Sequence, residues 1–245
     1  MLDNVANIAE FSQRFMRSFR SKVNATSAIR TKPLRTYTPG IEARDGEGSH
    51  VPFELAKLYR AKNKDDWRRI KSNIDEFGRV SEMFSGVDLK SFGTTASDPF
   101  QIQFSSDGPK TNLVDLGYGT SQILPILYDI SIGSRNDVYL IQQPEVHLHP
   151  KAQAALGSYF IGAYTEGEKQ FVLETHSDFI VDRVRAAISK KEIDPSDVSI
   201  LFFERRRLEN VVHQVDLDEN GDPIDPPAGY RSFFVDEQLR MLGIE

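Results

Sequence analysis

The chain has 245 residues and a mass of 27.7 kDa, with 39% hydrophobic and 27% charged residues, a globular composition long enough for one large core or a core with an insertion. Its formal net charge of -6 argues against a uniformly basic coat for nucleic acid while leaving room for a local basic patch. Zero cysteines exclude disulfides and thiolate metal sites and fit a reducing cytoplasm; no apolar run approaches the roughly 20 residues of a membrane span, and MLDNVANIAEF shows no secretory signal.

Leu2, Val5, Ile8, Phe11, Phe15 and Phe19 recur at spacings of three and four, which predicts an amphipathic helix over about Leu2–Val23. Arg14, Arg17, Arg20 and Lys22 make its second half basic, either a solvated face or a surface for a partner or phosphate. In AIRTKPLRTYTPG, Pro33, Pro39 and Gly40 break regular structure while Arg30, Lys32 and Arg35 crowd together, reading as an ordered loop or short strand with a basic edge. Ile41–Pro52 reads as a flexible connection. Helices follow over Phe53–Arg60 and Asp65–Phe77, the second with Trp67, Ile70, Ile74 and Phe77 on one face, Asp65 as N-cap and Gly78 as its stop. Phe92–Phe104 is irregular until the alternation Phe100, Ile102, Phe104, and Asp107-Gly108 marks a hairpin turn into Asn112–Leu116.

In LGYGTSQILPIL, Gly117 and Gly119 allow a tight turn, and Thr120, Ser121 and Gln122 open an apolar helix. Such a helix start presents N–H groups and a positive dipole end to an anion such as phosphate, although many helices follow Gly-x-Gly for steric reasons alone. Val138–Ile141 in VYLIQQPEVHLHP is a strand expected to be buried on both faces of a parallel sheet. Its carboxyl end carries Gln142, Gln143, Glu145, His147 and His149, at the edge where open α/β sheets bind ligands. A helix over Lys151–Thr165 and a strand over Gln170–Leu173 deliver Glu174, Thr175, His176 and Ser177 to a second strand end, ahead of a helix through Ile188. If the two strands are parallel neighbours, His176 and Gln143 share one edge.

Val198–Phe203 and Val211–Leu217 read as a pair around ERRRLEN. Asp216–Asp222 resembles the start of a calcium loop, but Pro227 stands where its bidentate glutamate belongs, which favours a surface turn; a closing helix follows over Ser232–Leu242. These elements suggest a helical and irregular part over residues 1–110 and an α/β lobe over residues 111–245.

Taken in order, LGYGTSQ, LIQQPEVHLHP and LETHSDFIVDRVR resemble the signature segment, Walker B strand and switch histidine of ABC-type ATPases in the AAA group, of the overcoming-lysogenisation-defect (OLD) and RecF/SMC-like branch. Spacings of 23 residues from Gly119 to Gln142 and 33 from Gln143 to His176 fit, and RTKPLRTY is similar to a segment that precedes the signature. The resemblance covers roughly Ile29 to the end. It implies a partial P-loop NTPase fold, with a mainly parallel sheet flanked by helices, and ATP and Mg²⁺ as cofactors. By position it puts Gly117, Gly119, Thr120, Ser121 and Gln122 against the γ-phosphate of a nucleotide held by a second subunit. Gln142 falls at the Mg²⁺-associated acid and Gln143 at the glutamate that polarises water, with His176 as γ-phosphate sensor and His147 and His149 in the segment that crosses to the partner.

Both Walker B positions carry amides, which bring no negative charge, and Glu145 is the acid placed to compensate. No GxxxxGK[ST] occurs, so the phosphate cradle is expected on a longer protein or a separate chain, or to have been lost. The leading expectation is an ATPase fragment or degenerate subunit whose ATP-dependent dimerisation controls a DNA-directed or phage-defence effector, with a like chain, a second ATPase-type chain, a nuclease or other effector, or DNA as partner and no membrane. The alternatives are a regulatory or scaffold subunit that binds no nucleotide, and a hydrolytic metal site of Glu145, His147, His149 and His176.

Overall fold

The computed structural model describes residues 22–40, 43–106, 108–231 and 239–243. The amino-terminal helix expected over Leu2–Val23 lies outside the described residues up to position 21, as does most of the closing helix. Chain contacts divide the protein into two units, Met1–Ile180 and Val181–Glu245.

The first unit opens with β1 (Val23–Thr26). The connection after it is no loose tether. Asp45 Oδ1 accepts hydrogen bonds from the backbone N–H groups of Glu47, Gly48 and Ser49, and Ser27 and Thr31 donate to the carbonyls of Gly46 and Glu47. This turn sets the start of α1 (Val51–Arg60), with Pro52 in its first turn where a missing N–H costs nothing. Helix α2 (Asp65–Ser81) buries Trp67, Ile70, Ile74 and Phe77 as one stripe, each large side chain contributing about 1.5–3 kcal/mol when fully removed from water. Its caps differ from those expected: Lys64 precedes the first turn, and the helix passes through Gly78 to end at Glu82, with φ 60°. Gly78 is an interior packing position, because a Cβ there would lie 2.3 Å from the Phe84 ring.

An antiparallel sheet follows, β2 (Gly86–Ser91), β3 (Phe100–Ser105) and β4 (Thr111–Asn112). The β3 alternation and the hairpin into Asn112 are as expected; Asp107 of its turn lies outside the described residues. The strand over Gly86–Ser91 has no signal in the sequence as strong as its partner's, since only Val87 and Leu89 alternate.

Helix α3 (Tyr118–Ile132) leads to β5 (Val138–Gln142), and α4 (Pro150–Gly167) leads to β6 (Gln170–Glu174) and then to α5 (Asp178–Ser189). Strands β1, β5 and β6 form an all-parallel sheet in the order β1-β5-β6. Its helices cover one face: the Tyr139 hydroxyl donates to the Asp129 carbonyl of α3, and Phe171 meets Phe160 of α4 at 5.1 Å between ring centres. The expectation that β5 is buried on both faces is therefore corrected. Tyr139 and Ile141 are buried, but Leu140 on the other face is 39% exposed.

Within the second unit, β7 (Ile200–Arg206) and β8 (Glu209–Leu217) form a hairpin extended by β9 (Pro223–Ile224). Asp218 accepts from the N–H groups of Asn220 and Asp222, and Arg185 of α5 donates to the Gly221 carbonyl and pairs with Asp222, making DLDENGD a surface turn anchored on α5. No described helix is long and apolar enough to cross a membrane.

Candidate functional site

Parallel pairing sets Gln142 opposite Glu174, so the loops after β5 and β6 emerge side by side. The expected sharing of one edge by Gln143 and His176 holds. After Gln142 the chain reverses: Gln143 takes φ 42°, uncommon for a residue with a Cβ, and its N–H crosses to the Glu174 carbonyl at 2.7 Å. Two tight turns, Val146 N–H to the Gln143 carbonyl and Leu148 N–H to the Glu145 carbonyl, carry the chain to His149. His149 Nδ1 accepts from the Ala152 N–H and caps α4, with Pro150 in the first helical turn.

Arg30 holds the reversal. Its guanidinium is 1% exposed, and one Nη2 donates to both the Gln142 carbonyl, at 3.0 Å, and the Gln143 carbonyl, at 3.2 Å. Burial pulls its pKa down to about 10, against an opposing pull from the Glu145 carboxylate. The sequence had grouped Arg30 with Lys32 and Arg35 as one basic edge. The structure separates them: Arg35 is exposed and paired with Asp115, Lys32 is exposed, and Arg30 alone turns inward. No periodicity marks that difference, because all three sit in an irregular segment.

Glu145, itself buried, accepts the backbone N–H of His176 on Oε1 at 2.6 Å, while its Oε2 has no partner atom. Ser177 Oγ donates to Gln153 Oε1 on α4 at 2.6 Å. The two strand-end loops are thus joined by a carboxylate, and both are joined to α4. The His176 ring is exposed, as are Gln142, His147 and His149.

The turn before α3 approaches the same loop. Gly117 is the N-cap with φ -55° and open space at its Cβ position, so its backbone needs no glycine. Gly119 does: a Cβ there would lie 2.5 Å from the His147 carbonyl oxygen. The expected tight turn is instead a close approach of two segments. The Tyr118 ring meets the His147 ring edge-on at 4.6 Å, and both residues are exposed. Thr120, Ser121 and Gln122 are buried, with Ser121 Oγ donating to the Tyr118 carbonyl at 2.7 Å and Gln122 Nε2 unpartnered. Gly117 and Tyr118 are what the helix start shows to solvent.

These residues do not suit a Mg²⁺ ion held by this chain alone. Mg²⁺ is bound through carboxylates and waters, whereas Gln142 is neutral and its side-chain N–H faces Glu174 Oε2 at 3.4 Å. One Glu145 oxygen is engaged, and the other lies in a pocket of charge already influenced by Arg30. Among the described residues no cluster of three His, Cys, Asp or Glu is placed to hold a metal, so Glu145, His147, His149 and His176 do not converge as ligands.

The AAA ATPase domain family matches residues 24–181. None of the curated proteins matches the chain. Among solved structures, an SMC ATPase described for ATP-driven dimerisation and DNA-stimulated activation aligns at 13% identity and a TM-score of 0.47, over 78% of this chain and 97% of that one. An Smc head domain with an extended coiled coil, bound to the C-terminal domain of ScpA and derived from Pyrococcus furiosus, aligns at 14% identity and 0.46, over 80% and 44%. The SMC head domain from Thermotoga maritima aligns at 10% identity and 0.38, over 67% and 52%.

Proposed function

The chain belongs to the AAA ATPase domain family over residues 24–181, and from that premise we propose that it works as a degenerate ABC-type ATPase subunit of the OLD-like kind. In this reading ATP-dependent dimerisation, with a like chain or a second ATPase-type chain, controls a DNA-directed or phage-defence effector such as a nuclease. Gly117 and Tyr118 at the start of α3 would face the γ-phosphate of a nucleotide held by the second subunit, His176 would sense that phosphate, and His147 and His149 would lie along the seam.

One observation carries the reading: the α3 start and the loop after β5 are locked together at Gly119 and His147, presenting exposed Tyr118, His147 and His176 beside amides at both Walker B positions. Nucleotide, when bound by the partner, supplies the phosphate charge; this chain supplies N–H donors and shape, and its Gln142 and Gln143 provide neither metal charge nor a base.

Arg30 favours a second reading. A buried cation against the Gln142 and Gln143 carbonyls already puts positive charge beside the strand end, which suits a scaffold subunit that takes no metal nucleotide. Calorimetric titration of the purified chain with ATP and Mg²⁺, alone and mixed with a candidate Walker A partner, separates the two. The degenerate-subunit reading expects very weak binding and no significant hydrolysis alone, and ATP-dependent association in the mixture. Micromolar binding with repeated turnover by the chain alone would overturn it, and partner association indifferent to ATP would favour the scaffold.

A further inference from the structure

Strand β6 lies at one edge of the all-parallel sheet, and among the described residues only its inner side is paired. The ladder to β5 uses alternate residues. The Gln170 N–H donates to the Asp137 carbonyl and the Glu174 carbonyl accepts from the Gln143 N–H, so Gln170, Val172 and Glu174 turn their backbone groups inward. Phe171 and Leu173 turn theirs outward, and among the described residues no segment hydrogen-bonds to them. Edge strands are ordinarily kept from further pairing by a proline, a bulge or a charge in mid-strand, and QFVLE has none of these; its one charge, Glu174, stands at the end. Val172 at its centre is 62% exposed.

We propose that this edge pairs with the same edge of a second copy of the chain, β6 running antiparallel to its counterpart about a two-fold axis at Val172. The order of residues in β6 selects both the occupant and the register. With Val172 on the axis, Phe171 of each copy stands opposite Leu173 of the other, and these are the residues whose N–H and C=O groups point outward, so each pair exchanges two hydrogen bonds. Val172 meets its own counterpart as a close, non-hydrogen-bonded pair, apolar side chain against apolar side chain. Gln170 falls opposite Glu174, an amide donor facing a carboxylate, so no two like charges meet. Moving the axis by one residue sets Val172 against Glu174 or against Gln170 and loses this match. The result is a closed two-fold contact that continues the sheet across both copies and leaves no β6 edge open. It runs along the side of the sheet rather than across the strand ends, and does not depend on the ATPase reading.

The chain contains no cysteine, so an introduced thiol reports on its own position. Opposed residues of a non-hydrogen-bonded antiparallel pair hold their Cα atoms about 4.5 Å apart, within the reach of a disulfide. Val172→Cys should therefore oxidise to a disulfide-linked pair of chains at least about tenfold faster than Val23→Cys, whose parent side chain is similarly exposed, at 60%, but lies on β1. Sedimentation without nucleotide should show a parent dimer that dissociates on dilution. Val172→Lys, which sets two ammonium groups face to face on the axis, should stay monomeric at the same concentrations. A parent that is monomeric at its highest soluble concentration, a Val172→Lys variant that still dimerises, or equal oxidation rates for the two cysteine variants would overturn the proposal. Far-ultraviolet circular dichroism and thermal melting establish that the variants fold, and Val172→Glu replaces Val172→Lys if the latter melts early. Because no nucleotide is present, failure here is distinct from failure of the ATP-dependent seam.

Discussion

The Glu145 carboxylate accepts the backbone N–H of His176 at 2.6 Å, across 31 residues of sequence, and so ties the loop after β5 to the loop after β6. Replacing it by alanine leaves that N–H unpaired and removes the carboxylate that offsets the buried Arg30 charge. We expect Glu145→Ala to cost about 3 kcal/mol in urea unfolding, and Glu145→Gln, which keeps an acceptor, to cost less than half of that. Equal costs would show that the hydrogen bond is not what matters.

Arg30 and Glu145 are coupled by charge attraction rather than through a direct hydrogen bond. Arg30→Met removes the side-chain donor to the Gln142 carbonyl and one of the two donors to the Gln143 carbonyl, which keeps the Val146 N–H, and leaves Glu145 without its opposite charge, a loss of about 3 kcal/mol. The double variant Arg30→Met with Glu145→Gln should be less damaged than the two single losses added, with a coupling of about 1–2 kcal/mol in a double-mutant cycle.

Gly119 and Gly117 look alike in the sequence and differ in the structure. Gly119→Ala drives a Cβ against the His147 carbonyl and should cost about 1–3 kcal/mol by thermal or urea melting, while Gly117→Ala, with open space and an ordinary φ, should be nearly neutral. Equal effects would refute the close approach as the reason for glycine.

At high pH the buried tyrosines decide stability. Burial raises the phenols of Tyr37, Tyr128 and Tyr139 above their ordinary value of 10.0 and pushes that of Tyr159 up to about 12. Their folded values exceed the unfolded one, so the stability they contribute is complete below pH 10.0 and falls as pH rises beyond it. Arg30, lowered to about 10, and Lys169, also lowered by burial, act in the opposite direction but are two groups against four. The share of tyrosinate absorbance that comes from these four phenols should therefore appear together with unfolding above about pH 10, not before it.

Gln142 stands across from Glu174, so Gln142→Glu pairs two carboxylates at the strand ends. The parent melt should be indifferent to Mg²⁺, while that of the variant should rise as Mg²⁺ is added, because a cation relieves the new repulsion and gains two acidic ligands. A parent melt that rises equally would mean that the amide already supports metal.

Much of this protein is written locally. The stripe Trp67, Ile70, Ile74, Phe77 forecasts α2 because a helix returns every third or fourth residue to one side, and the apolar runs at Val138 and Gln170 forecast β5 and β6. The three ordered motifs likewise forecast the family. Local pattern fails where a residue's role depends on what a distant segment does. Gly78 reads as a helix stop until Phe84 folds onto it, and the Ile41–Pro52 segment reads as a tether until Asp45 gathers its N–H groups.

The sequence by itself determined the α/β order from α3 to β8, the delivery of Gln142, Gln143, Glu145 and His176 to strand ends, and the amide character of Gln142 and Gln143 there, since each follows from residue type and short-range periodicity. Tertiary structure alone decided that Arg30 turns inward while Arg35 faces water, that Gly119 rather than Gly117 must be glycine, and that the parallel sheet is covered on one face by described elements. Those outcomes depend on distances between segments far apart in the chain, and spacing along the sequence carries no record of which segments will meet.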